Sequence, residues 1–236
     1  FVGLLNNIRV GKDLETTIGV LNARCYKTDG AAEAVMTLTT INATADTINE
    51  GKLRRIDEPE FIYEAILEGN FGERENLLPA PRILELKVGA QVMFLKNHAR
   101  WVNGTTGKIL ELDDESARVA IESGPFKGEV TVGKETWERV KYTWDNKRQR
   151  ITKETVGKYT QLPFRLAWAV TIHKAQGLTL ESVTIDLDRG TFEHGQAYVA
   201  LSRCRTMEGL SLSRPLRVDD IKPDKSIIEF YSHLDI

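Results

Sequence analysis

Residues 35–41, Val-Met-Thr-Leu-Thr-Thr-Ile, form an uncharged run rich in β-branched side chains, and Asn42, a residue able to cap a helix, follows at once. A buried strand running straight into a helix is the repeating unit of a parallel sheet, so the chain is expected to build an α/β domain. Gly51 is expected to end that helix. The same grammar returns after Pro163: an apolar segment to Val170, a turn closed by Gly177, a strand over Val183 to Leu187, and a helix from about Gly195 to Arg203. A strand over Leu210 to Leu212 and a helix over Asp224 to His233 follow, the latter burying Ile227, Ile228, Phe230 and Tyr231. Ahead of the first strand, Phe1, Leu4, Leu5 and Ile8 recur at helical spacing before Gly11, and a second helix is expected from about Leu14 to about Cys25.

Between these halves the pattern changes. From Leu84 to Val140 short runs, Val92 to Leu95, Lys108 to Leu112, Arg118 to Ile121 and Glu129 to Val132, alternate with Asn-Gly, Asp-Asp and Gly-Pro turns, which suggests a small antiparallel barrel. Residues 54–82, broken by Pro59, Pro79 and Pro81, read as a connection in which Phe61 to Leu67 could form a strand. The simplest account is one α/β domain, residues 1–83 and 161–236, interrupted by a β insertion at 84–160.

With 236 residues and 41% hydrophobic side chains the chain can bury a core, which excludes disordered, collagenous and coiled-coil classes. Its longest apolar runs fall far short of the roughly 20 residues that span a bilayer, so no membrane partner is expected. Lys and Arg number 32 against 34 Asp and Glu, a net charge of -2, so any nucleic-acid surface must be a local patch. Residues 139–158 supply one: Arg139, Lys141, Lys147, Arg148, Arg150, Lys153 and Lys158 outnumber Asp145 and Glu154, with Tyr142, Trp144 and Tyr159 interleaved. That mixture suits phosphate attraction with base stacking, although such a run is equally at home on a solvated scaffold. Trp101 and Trp168 are expected in the cores. Cys25 and Cys204 cannot form a disulfide framework, which suits a reducing cytoplasm or nucleus. His98, His194 and His233 lack a second ligand at suitable spacing, so no metal site is expected. The first residue is Phe1, and the chain is expected to begin inside a longer protein.

Two segments concentrate chemistry. Ala169-Val-Thr-Ile-His-Lys-Ala-Gln-Gly177 sets a hydroxyl, an imidazole, an ammonium and an amide between an apolar run and a glycine. Donors without nearby acids suit an anion, and the carboxyl ends of parallel strands are where ligands bind. Taken alone, the segment could equally be a capped loop whose polar groups satisfy one another. In Gly195-Gln-Ala-Tyr-Val-Ala-Leu-Ser-Arg-Cys-Arg205, Tyr198, Val199 and Leu201 can pack the helix, while Ser202, Arg203 and Arg205 fall at its end. On residues alone the simpler reading is that Arg203 and Arg205 offset the helix macrodipole, an effect worth under about 1 kcal/mol.

Thr171-Ile-His-Lys-Ala-Gln-Gly177 and Tyr198-Val-Ala-Leu-Ser-Arg-Cys-Arg205, preceded by Leu86-Lys-Val-Gly-Ala-Gln-Val-Met93 and Asn103-Gly-Thr-Thr-Gly107, resemble the C-terminal half of superfamily-one DNA helicases of the PIF/RecD type. The likeness runs in the family's order from about Leu38 to Tyr231. It implies an α/β fold, a RecA-like parallel-sheet domain of the P-loop NTPase type interrupted by an SH3-like barrel. It implies that Thr171, His173 and Lys174 meet single-stranded DNA, that Gln176 and Gly177 lie by the nucleotide, and that Arg203 is the arginine finger. Ser202 either orients Arg203 or packs. An ATP-dependent helicase of this kind would serve DNA repair and recombination, with five-prime to three-prime travel implied by the resemblance and not by the residues.

The phosphate-cradling loop G-x-x-x-x-G-K-[ST] is absent: Gly104-Thr-Thr-Gly-Lys108 is too short, and Gly11-Lys12 and Gly133-Lys134 precede acids. An apolar strand ending in Asp-Glu is absent too, since Arg54-Arg-Ile-Asp-Glu58 is charged. In the resembling family both belong to an N-terminal RecA-like domain. ATP and Mg2+ are therefore expected in a full-length enzyme, with this chain binding neither alone and not hydrolysing ATP. The expected partners are single-stranded DNA and that N-terminal domain, in a monomer. The alternative is a non-enzymatic nucleic-acid-binding module with a degenerate RecA-like domain.

Overall fold

The computed structural model describes residues 1–26, 36–72, 77–121, 124–146, 149–224, 226, 228 and 229. These form two compact units, one of residues 1–51 with 168–236 and one of residues 52–167.

In the first unit, α1 (Val2–Val10) ends at Gly11, whose left-handed φ of 70° only glycine adopts without strain. Of the expected apolar stripe only Ile8 is buried. α2 (Leu14–Cys25) buries Thr17, Ile18, Leu21 and Cys25, one face at three- and four-residue spacing. β1 (Thr37–Thr39) is the buried end of the expected strand; Val35 lies outside the described residues. α3 (Asn42–Arg54) continues through Gly51, contrary to expectation. Ala45, Asn49 and Leu53, at four-residue spacing, are all buried, and that stripe outweighs the cost of about 1 kcal/mol for an internal glycine.

The second unit holds β2 (Glu60–Glu64), β3 (Ile66–Gly69), β4 (Ile83–Lys87), β5 (Gln91–Phe94), β6 (Thr106–Leu112), β7 (Ser116–Ile121), β8 (Gly128–Gly133), β9 (Glu135–Asp145), β10 (Arg150–Gln161) and β11 (Phe164–Leu166). A five-stranded antiparallel sheet runs in the order β11-β5-β6-β7-β8, beside β3-β10-β9 and the pair β2-β4. The supposed connection 54–82 thus contributes two paired strands. Alternation drives the sheet: Ala117, Val119 and Ile121 of β7 are buried, the residues between them half-buried. Its core includes Phe94, set edge-on to Phe164 at 5.0 Å and near Trp101 at 4.9 Å.

The basic segment 139–158 is a long hairpin. Register sets Lys141 opposite Glu154 and Lys158 opposite Glu138, so two of the basic positions have an acid as cross-strand neighbour. Lys147 and Arg148 lie outside the described residues. Tyr159, read from sequence as a stacking residue, is buried, its hydroxyl donating to the Ala80 carbonyl at 2.8 Å. Tyr142 and Trp144 are exposed on one face with Ile151.

Returning to the first unit, β12 (Ala169–Thr171), β13 (Val183–Asp186) and β14 (Leu210–Leu212) join β1 in a four-stranded parallel sheet, order β12-β1-β13-β14. α4 (Gln196–Leu201) buries Gln196, Ala197, Ala200 and Leu201, leaving Tyr198 and Val199 half-buried and not the main packing residues. The expected terminal helix lies largely outside the described residues. No described helix is long and apolar enough to cross a membrane.

A side-chain amide anchors the sheet. Asn49, 8% exposed, donates to the Ala169 carbonyl and accepts from the Ala169 N–H, both at 2.8 Å, which fixes α3 against the first residue of β12. Asn49→Ala strands both backbone groups, each worth about 1–3 kcal/mol when buried and unmade. The variant is expected to lose about 2–4 kcal/mol in urea unfolding; a midpoint equal to wild type would mean the amide anchors nothing.

Candidate strand groove and nucleotide edge

The sheet order contains a switch point. After β1 the chain leaves through α3 and returns as β12 on one side of β1; after β12 it crosses to β13 on the other. A crevice opens where connections diverge at the carboxyl ends of parallel strands. There a groove of about 340 Å³ is lined by Thr40, Ile41, Asn42, Thr171, His173, Lys174 and Phe192.

Local chemistry sets its walls. Thr171, the last residue of β12, is 5% exposed, and the next N–H, of Ile172, donates to the Thr39 carbonyl at 2.9 Å. The chain then turns tightly, the Ala175 N–H donating to the Thr171 carbonyl at 3.1 Å, which carries His173 and Lys174 outward. Lys174 Nζ donates to Asn42 Oδ1 at 3.0 Å. His173 Nε2 lies 2.6 Å from Glu193 Oε2. The groove lining itself contains a lysine, a histidine and three polar residues but no carboxylate. Such a surface accepts an anionic ligand.

The other expected site residues lie in a second cluster. Gln176 and Gly177 are exposed, and Gly177 has a φ of 85° with open space where a Cβ would point, so a ligand can approach its backbone. Arg203, half-buried just past α4, donates Nε–H to the Val199 carbonyl at 3.0 Å, Nη1–H to the Leu178 carbonyl at 3.2 Å and Nη2–H to Ser202 Oγ at 3.0 Å. Ser202 Oγ in turn donates to the Val199 carbonyl at 2.9 Å. Two of the five guanidinium N–H groups remain without a partner among the described residues. Leu180 and Cys204 form a parallel bridge, its N–H groups donated by Leu180 to Arg203 and by Arg205 to Leu180, so the segment after Gly177 is joined to the one carrying Arg203. The structure thus groups Thr171, His173 and Lys174 in the groove, and Gln176, Gly177 and Arg203 outside its lining.

Sequence reasoning missed Thr40, Ile41 and Phe192 as groove residues and saw Asn42 only as a cap. The adjacency of β1 and β12 would have brought in residues 40–42; nothing in the local pattern marks Phe192. Cys204 is buried, and burial pushes its thiol above its ordinary range despite backbone N–H groups that lower it, so it is no nucleophile at neutral pH. Among the described residues no group of three or more His, Cys, Asp or Glu could hold a metal ion.

Residues 75–112 match the family DNA helicase Pif1, 2B domain. The whole chain is 35% identical to ATP-dependent DNA helicase Pif1 of Bdellovibrio bacteriovorus, covering 51% of it. It is 34% identical, over 99% of its length, to ATP-dependent DNA helicase PIF1 of Danio rerio, covering 36% of that protein. Unliganded Pif1 from Bacteroides sp superposes with a TM-score of 0.83 at 32% identity, over 98% of this chain and 53% of that one. The chain therefore spans about half, or less, of these relatives. In sequence and in fold, along nearly its full length, the chain is similar to the Pif1-type DNA helicases.

Proposed function

We propose that this chain is the strand-gripping and nucleotide-sensing half of an ATP-dependent DNA helicase. The flanking segments form its second RecA-like domain and the segment between them an inserted SH3-like domain. The observation that carries the reading is the groove joining Thr171, His173 and Lys174 at the ends of two parallel strands, with the Glu193 carboxylate held against His173 outside its lining. Pif1 of Bacteroides has been crystallised bound to ssDNA, and with ADP-AlF4, which supports a strand and a nucleotide as the two ligands.

Lys174 offers N–H donors to a phosphate, His173 only its Nδ1 edge because Nε2 is held by Glu193, and Thr171 a hydroxyl at the groove floor. Arg203, held by three hydrogen bonds, one of them to the Leu178 carbonyl next to Gly177, presents its remaining donors as an arginine finger, with Gln176 and the open backbone of Gly177 as the expected neighbours of the nucleotide. Those spare donors and that open backbone fit a phosphoryl group. ATP with Mg2+ supplies the phosphoryl transfer that opens and closes the cleft between lobes; the loop and acidic strand that hold them are not among these residues, so this chain alone does not hydrolyse ATP. Strand travel is five-prime to three-prime.

The test is fluorescence anisotropy of a labelled single strand titrated with this chain. Weak binding that falls steeply with salt is expected, because phosphate contacts release counterions. Absence of salt-sensitive binding at low ionic strength would contradict the reading.

A further inference from the structure

The groove contains a feature that phosphate binding does not require. Five of its seven lining residues are polar, but Phe192 is 54% and Ile41 41% exposed. An aromatic ring left this open in a crevice is an unmet apolar surface. The backbone leading into it, in contrast, is pinned. The Phe192 N–H donates to Gln196 Oε1 at 3.1 Å, and the hydroxyl of the preceding Thr191, buried, donates to the Asp220 carbonyl at 2.7 Å. Beside it stands the His173 ring, centroids 6.5 Å apart and planes tilted by 39°, itself held by Glu193. The ring is therefore positioned by its own chain while much of its surface stays uncovered, next to a cation and a hydroxyl.

We infer that Phe192 is the platform on which one base of the bound strand stacks while Lys174 and His173 hold its phosphate. This deepens the groove reading and rests on it. Every base has a π-face, so the contact is indifferent to sequence, but it requires a base free of its duplex neighbours. Phe192 thereby makes the groove favour a strand with accessible, unpaired bases over a bare sugar-phosphate chain.

The test compares a labelled thymidine oligonucleotide with an abasic strand of equal length by anisotropy. Wild type is expected to prefer the thymidine strand by on the order of tenfold. Phe192→Ala should bring the thymidine strand down to the abasic level without altering abasic binding, and Phe192→Trp should retain the preference. Lys174→Ala should weaken both strands alike. A Phe192→Ala variant that keeps the full preference overturns the stacking role while leaving the groove intact. If wild type shows no salt-sensitive binding to either strand, the groove reading and the stacking role fall together.

Discussion

In a helicase carrying both lobes, Arg203→Ala is expected to lower ATP turnover by about 10³- to 10⁵-fold, the range over which arginine fingers act, while single-strand affinity stays near wild type. The separation follows from placement: Arg203 is absent from the groove lining and tied instead to the segment after Gly177. Its three bonds to Val199, Leu178 and Ser202 fix the guanidinium plane and leave two N–H groups without a partner among the described residues, the donors that the proposed role requires. Preorganised donors cost no rearrangement when charge develops. Arg203→Lys should be nearly as inactive, because an ammonium on a flexible stem reproduces neither the fork nor the anchored plane. Losing these bonds should also destabilise the variant by about 1–3 kcal/mol, so turnover is measured well below its melting temperature. Normal turnover in Arg203→Ala would remove this residue from the nucleotide site.

The second large effect concerns stability. Asp220, 3% exposed, accepts Arg214 Nη1–H at 2.8 Å and Nη2–H at 2.7 Å, and the Arg217 N–H at 2.8 Å. Burial pushes its carboxyl up, but the Arg214 hydrogen bond, the Arg217 N–H and the charges of both arginines outweigh it, so the net shift is downward. A carboxyl whose folded pKa lies below its unfolded value contributes stability that is present above the unfolded range, near pH 4, and lost as pH falls through the folded value. Asp220→Ala removes the carboxylate from Arg214, whose side chain is only 21% exposed and keeps its bonds to the Asp188 and Pro215 carbonyls. The expected loss at pH 7 is about 3 kcal/mol, or about 6–12 °C in Tm. Melting curves from pH 7 to pH 3 should show the wild-type advantage over the variant shrinking as acid is added. An advantage that grows instead would mean the pair does not stabilise the fold.

How much of this was legible in the sequence depends on the range of the interaction. α2 was readable in its approximate extent, whereas its buried face of Thr17, Ile18, Leu21 and Cys25 was not named from the sequence. β1, β12 and β14 were readable as apolar runs ending in polar turns. The extent of α3 was not, since burial of Asn49 against Ala169, 120 residues away, decides that the helix passes Gly51. The hairpin of β9 and β10 was hidden behind its charges, whose cross-strand pairing appears only once the register is known. At the groove, Thr171, His173 and Lys174 are neighbours in sequence and could be read together. Phe192 comes from the β13–α4 connection and joins them only through sheet order.

The measurement closest to the central claim is the salt dependence of single-strand affinity for wild type and Lys174→Ala. If the ammonium beside Asn42 sits against a backbone phosphate, the slope of log K against log salt should fall in magnitude by about 0.7, the single-strand value for one lost phosphate contact. Affinity should weaken equally for strands of different sequence. Identical slopes, with affinity unchanged, would contradict the assignment of this groove to the strand.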